Sequence, residues 1–159
     1  MAPEPRGRGG SRRSLSLPQA SGDALRTAIR LFQTYESLQR RLGQVLESAG
    51  LTLPQFDVLA NLGMTEGITQ QELADKLLVT KGNVVGLLDR MESAGLVERR
   101  ADPNDRRANR VFMTHRGAEA LREAFPAHLA VIRRAMARRS AADHQALSRL
   151  LERIEVADD

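Results

Sequence analysis

The sequence predicts a mainly α-helical fold with a small β-hairpin, and three observations carry that prediction. From Ser21 onward, apolar residues recur at three- and four-residue steps. Residues suited to capping helices (Thr52, Thr69, Thr80, Thr114 and Ser140) stand just before successive apolar stripes. Two short strand-like runs, residues 96–100 and 109–113, flank one stretch rich in turn formers. A length of 159 residues suits one domain with a substantial core.

Residues 1–20 hold three of the six prolines, three glycines and four arginines (Arg6, Arg8, Arg12 and Arg13), too little apolar content to offset the entropy of ordering. They are expected to be a disordered basic arm, either a solvated tail or a source of loose phosphate contacts. Residues 21–159 are expected to form the single domain. Leu25, Ala28, Phe32, Tyr35, Leu38, Leu42, Leu46 and Ala49 make the stripe of one long helix over residues 21–50, stopped by Gly50. Thr52 caps a second helix, in which Pro54 suits the first turn and Phe56, Leu59 and Leu62 are apolar.

Thr69-Gln70-Gln71-Glu72 is a capping box, and it opens a short helix to about Leu78. Thr80 caps the next helix, whose stripe is Val84, Leu87, Leu88 and Met91. Gly95 ends it, and Leu96 is placed for the apolar contact of a Schellman motif. Two short helices thus meet at a tight turn around Val79 and Thr80. The strand-like runs then flank Asp102-Pro103-Asn104-Asp105-Arg106-Arg107, the charged tip of a hairpin. Thr114 caps a long helix to about Arg139, bent near Pro126, and Ser140 opens a last helix with Leu147, Leu150, Leu151 and Ile154 on one face.

The formal net charge is +4, and its placement says more than its sum. Between Val97 and Arg116 six arginines stand against Glu98, Asp102 and Asp105, while the chain outside this segment and the arm is net negative. A helix-turn-helix followed at once by a basic hairpin suits double-stranded DNA, the second helix entering the major groove and the hairpin an adjacent minor groove. Asn83, Gly86 and Arg90 lie opposite the apolar stripe of that helix, with Lys81, Gly82 and Val85 beside them. Asn pairs bidentately with adenine, Lys reaches guanine or phosphate, and glycine permits close backbone approach. The same face is also what an ordinary solvated helix presents.

These residues carry a family resemblance. Residues 51–56, Gln71-Glu72-Leu73-Ala74, residues 87–92 with Gly95-Leu96-Val97, and residues 102–107 through Met113-Thr114 together resemble the MarR (multiple antibiotic resistance regulator) family, over about residues 22–157. The resemblance implies a winged helix-turn-helix DNA-binding lobe, about residues 52–114, and a helical dimerisation region, about residues 21–50 and 115–157. It implies a homodimeric transcription regulator, more a repressor than an activator, on a pseudo-palindromic operator with recognition helices about 34–36 Å apart. The family's wing pattern matches Asp105, Arg107, Val111 and Thr114, with Met113 in place of Leu. By that match Arg107 is the wing-tip residue of the minor groove and Asp105 orients it, or serves only as a turn residue. Thr69, Gln70, Gln71, Thr80 and Arg106 complete the implied DNA-contacting set. Val85 and Gly86 stand where the family favours Ser or Thr and then Arg, which shifts the work toward Asn83, Lys81 and DNA shape.

Many members of the family bind small aromatic or acidic effectors. Tyr35, Phe56 and His128 are the candidates by placement, as ring contacts and a polar handle or as plain packing. Catalytic and metal-binding readings find no support: the three histidines (115, 128 and 144) form no ligand pair, and GxSxG, P-loop and GxGxxG motifs are missing. No cofactor is expected. The chain has no cysteine, hence no disulfide or thiol switch, and no run of 18 apolar residues, so a cytoplasmic protein without a membrane partner is expected. The rival class is a winged-helix protein-interaction module that binds no operator.

Overall fold

The computed structural model describes residues 22–103, 105 and 108–154. Its elements in chain order are α1 (Asp23–Glu47), α2 (Leu53–Met64), β1 (Ile68–Thr69), α3 (Gln70–Leu77), α4 (Lys81–Ser93), β2 (Val97–Ala101), β3 (Asn109–Met113), α5 (His115–Met136) and α6 (Ala141–Glu152). The chain adopts the expected mainly helical fold with a small hairpin. The expected basic arm lies outside the described residues, as do Arg106 and Arg107.

The chain divides into two compact units, the first ending at Tyr35 and the second beginning at Glu36. The described part of the first is the opening stretch of α1, where Leu25, Ile29, Phe32 and Tyr35 are exposed. The elements from α2 onward belong to the second.

Local chemistry sets the helix ends. Capping boxes open α2 (Thr52 with Gln55), α3 (Thr69 with Glu72) and α6 (Ser140 with Asp143), each pairing two backbone amides that a helix start leaves free. Thr80 and Thr114 cap α4 and α5 by accepting from the amides of Asn83 and Gly117. α4 ends as expected in a Schellman motif: Gly95 donates to the Glu92 carbonyl at 2.9 Å and Leu96 to the Met91 carbonyl at 2.9 Å, with Gly95 at φ 70°. α3 closes with the same pair of bonds, Leu78 to Asp75 at 3.2 Å and Val79 to Ala74 at 3.1 Å. There the left-handed residue is Leu78 (φ 53°), a conformation that costs a branched side chain about 1 kcal/mol.

The core of the second unit gathers Leu46 from the end of α1, Phe56, Leu59 and Leu62 from α2, Leu73 from α3, Val84, Leu88 and Met91 from α4, Val111 from β3 and Ala124 from α5. α6 buries none of its residues. The sheet has three antiparallel strands in the order β1-β3-β2, one more than the hairpin that the sequence predicts. The added strand is two residues long and pairs Ile68 with Val111 and Thr69 with Arg110. α5 is continuous through Pro126 and ends at Met136, short of the expected Arg139. Its first turn is pinned to the hairpin base, where the Thr114 hydroxyl donates to the Gly95 carbonyl at 2.6 Å and accepts from the Gly117 amide at 3.0 Å.

Candidate nucleic-acid interface

α3 and α4 bury Leu73, Ala74, Val84 and Leu88, which turns the first turn of α4 outward. Lys81, Gly82 and Asn83 are exposed there, Arg90 is exposed in the last turn, and Val85 and Gly86 are half-buried. A Cβ built on Gly82 meets nothing within 4 Å, and one on Gly86 meets only the Arg90 guanidinium at 3.7 Å. The fold itself therefore requires a glycine at neither position. Thr80 is exposed, with its hydroxyl engaged in the cap.

At the start of α3, Thr69 is half-buried and its hydroxyl accepts from the Glu72 amide at 3.2 Å. The Glu72 carboxyl is held below its ordinary range chiefly by the Thr69 amide, then by the Thr69 side chain. Gln71 is exposed and donates to Asp75 at 2.9 Å. The Gln70 amide oxygen is buried without a hydrogen-bond partner among the described residues, so that side chain is turned partly inward.

The hairpin pairs Val97 with Met113 through Ala101 with Asn109. Sequence reasoning treated its arginines as one basic surface, and the structure divides them. Arg99 turns to α4, pairing with Asp89 and lying 3.6 Å from Glu92, while its amide donates to Glu92 at 2.9 Å. Arg100 pairs with Glu98 and sits 4.3 Å over the Phe112 ring. Arg110 pairs with Asp102 at 2.6 Å and donates to the Gly67 carbonyl at 2.8 Å. These three are partnered inside the protein, while Arg106 and Arg107 lie outside the described residues. The sequence signal was available in part, since Asp89 and Glu92 lie three apart on α4 and form an acidic pair. Asp105 is exposed, and its carbonyl accepts from the Ala108 amide at 3.0 Å.

Of the three effector candidates, the structure brings two together. Phe56 and His128 stack with ring centroids 4.2 Å apart, and Phe125 lies 6.4 Å from Phe56 on the same cluster. Burial pushes the His128 imidazole below its ordinary value and the Asp57 carboxyl above its own, each opposed by the charge of the other. Tyr35 is exposed on α1, within the first unit. A shallow apolar hollow of about 320 Å³, lined by Met113, Ala118, Leu121, Arg122, Phe125 and Pro126, was not foreseen.

Among the described residues no cluster of His, Asp and Glu is arranged to hold a metal ion, and no helix is long and apolar enough to cross a membrane. A sequence model described as the MarR family matches residues 49–108. The transcriptional regulator MhqR of Bacillus subtilis is 30% identical over 109 residues, covering 69% of this chain and 75% of that protein. This chain belongs to the MarR family. Another relative, the transcriptional regulator HosA of Escherichia coli, is 32% identical over 108 residues, with 68% and 80% of the two chains covered.

Solved MarR-family structures share the architecture. AbsC, a MarR family transcriptional regulator from Streptomyces coelicolor, superposes with a TM-score of 0.77 at 28% identity, covering 84% of this chain and 93% of its own. A mutant MarR from E. coli complexed with operator DNA superposes with a TM-score of 0.75 at 27% identity, covering 81% of this chain and 93% of its own. The MarR-family chain is accordingly a transcriptional regulator with a winged-helix fold and not an enzyme.

Proposed function

We propose that this MarR-family regulator binds a pseudo-palindromic operator in double-stranded DNA as a homodimer and represses transcription by occluding a promoter. The observation that carries the proposal is the exposed first turn of α4, where Gly82 faces open space beside Lys81 and Asn83. Gly82 is the second residue of α4, nothing among the described residues lies within 4 Å of a Cβ built on it, and its bare backbone permits close approach of a partner. Residues 52–114 form the DNA-binding lobe in this account. Asn83 and Lys81 read bases. Thr69, Gln70, Gln71, Thr80 and Arg90 position the lobe on the phosphates, and the hairpin tip with Asp105, Arg106 and Arg107 reaches the minor groove. The E. coli neighbour solved in complex with operator DNA supports the reading that this chain binds an operator.

The dimer is assigned to the apolar residues that the chain leaves uncovered, Leu25 and Phe32 near the start of α1 and Leu147, Leu150 and Leu151 on α6. A small aromatic or acidic effector is assigned to the neighbourhood of Phe56 and His128, where a ring stack stands beside a polar handle. Such a ligand relieves repression only by its differential affinity for the free and DNA-bound states. The test is a salt titration of binding, by fluorescence anisotropy, on duplexes selected from the source genome and on scrambled controls. Operator binding predicts a steep fall with salt and a preference for the selected duplex. A protein that binds neither duplex is a protein-interaction module instead.

A further inference from the structure

We infer that Arg110 is a positioning residue that locks the hairpin to the start of α3, and so fixes the separation of the two parts of the DNA-binding surface. The functional half of this inference rests on the operator-binding proposal above. β3 is the middle strand, and Arg110 on it is the backbone partner of Thr69 in β1 and of Arg100 in β2. Its side chain contacts a residue flanking each outer strand. The Nε atom lies 2.6 Å from Asp102, just past the end of β2, and one terminal nitrogen donates to the Gly67 carbonyl, just before β1, at 2.8 Å.

Both anchors are themselves fixed. Asp102 is 6% exposed, and its amide closes the hairpin connection by donating to the Ala108 carbonyl at 3.0 Å. Gly67 has φ 73°, donates to the Val111 carbonyl at 3.2 Å, and would bring a Cβ to 2.9 Å from the Phe112 ring. Two residues on, Thr69 is both the strand partner of Arg110 and the cap of α3. One guanidinium therefore ties the loop end of the hairpin, where the connection starts, to the entry of the helix-turn-helix. A buried carboxylate demands its partner, and the planar fork serves two directions at once where an ammonium is a single point charge. Arg99 does a different task, joining β2 to α4 through Asp89 and Glu92.

The sign of one substitution separates a lock from simple charge. Asp102→Asn removes a negative charge from the basic hairpin, which by electrostatics alone strengthens binding to a polyanion. The lock predicts the reverse, a loss of about tenfold on the selected duplex, with the parental salt slope, because no phosphate contact is removed. Arg110→Ala should weaken binding similarly, and the double variant should be no weaker than the worse single one. Amide exchange supplies the readout without DNA: the Asp102 and Ala108 amides should exchange faster in both variants while α2 and α4 keep parental protection. Arg110→Lys, which keeps the charge and the stem, is the milder break should the others fail to fold, and it too should quicken those two amides. Tighter or unchanged binding by Asp102→Asn overturns the inference. So does parental exchange at the Asp102 and Ala108 amides, or an Arg110→Ala salt slope shallower by about one contact, which would make Arg110 a phosphate ligand. If the parent binds neither duplex, the operator proposal fails and the exchange data alone decide the lock.

Discussion

Gly117 lies so close to Leu96 that a Cβ on it would fall 2.1 Å from the Leu96 carbonyl oxygen. The obstacle is backbone, already engaged by the Thr114 amide at 3.2 Å, so it has nowhere to move. Gly117→Ala should therefore cost at least about 3 kcal/mol or prevent folding, the range of a severe overpacking change. Urea denaturation measures it, and a variant as stable as the parent would mean that α5 docks less tightly on the hairpin.

Gly82→Ala should have effects of opposite sign on stability and binding. With open space around the new methyl, the helix should gain about 0.5–1 kcal/mol. Operator affinity should fall if the bare backbone meets DNA. Parallel thermal melts and binding titrations check this, and an affinity unchanged or improved would remove Gly82 from the interface.

The wing tip and the recognition helix should part in a salt titration. Arg107→Ala should lower affinity on matched and scrambled duplexes alike and make the salt slope shallower by about 1. Asn83→Ala should cost about 1–3 kcal/mol on the matched duplex alone and leave the slope near the parent's. Parental binding by Arg107→Ala on both duplexes would rule out the wing as a DNA contact.

The Phe56–His128 stack predicts a pH dependence with a definite sign. Burial depresses the His128 pKa, so the unfolded chain takes up its proton first as pH falls through about 6.5. The stability of the neutral ring is present above that pH and is lost as pH drops toward the lower folded value. Asp57, whose carboxyl is raised by burial, works the other way at more acid pH, favouring the folded state as it takes up its proton. His128→Phe keeps a ring against Phe56 and removes the proton. Its stability should be flatter than the parent's between about pH 7 and 5.5. Equal slopes in urea midpoints across that window would place the titration elsewhere.

Leu150 is 60% exposed and Leu147 is 44% exposed on α6. Leu150→Glu should shift a micromolar sample toward monomer in light scattering, because it sets a charge in an apolar interface. Far-UV signal from the other helices should persist, since α6 buries no residue of its own protomer. A parental mass would move the interface away from α6.

What the sequence made legible is what local chemistry decides. The Thr69–Glu72 box, the Thr80 cap and the Gly95–Leu96 end each depend on residues within one or two turns, and each is present. β1 was not legible because two residues carry no periodicity, and its partner Val111 lies far along the chain. The division of the hairpin arginines was hidden for the same reason. Arg99 answers to Asp89 and Glu92, an acidic pair legible on α4 whose cation the spacing does not name, and Arg110 to the Gly67 carbonyl, which no spacing of charges announces. Phe56 and His128 were both singled out as candidates, yet only packing reveals that they stack.

α6 spans twelve residues, none of them buried. A helix of that length is marginal in water on its own, whatever its caps. If a second protomer supplies the missing cover, the order of this segment becomes a gauge of how much protein the cell holds. At low abundance the helix frays and offers its backbone to proteases, while at high abundance pairing shelters it. Unpaired copies would then be degraded in preference to assembled ones, giving turnover its own dependence on dose before any operator is occupied.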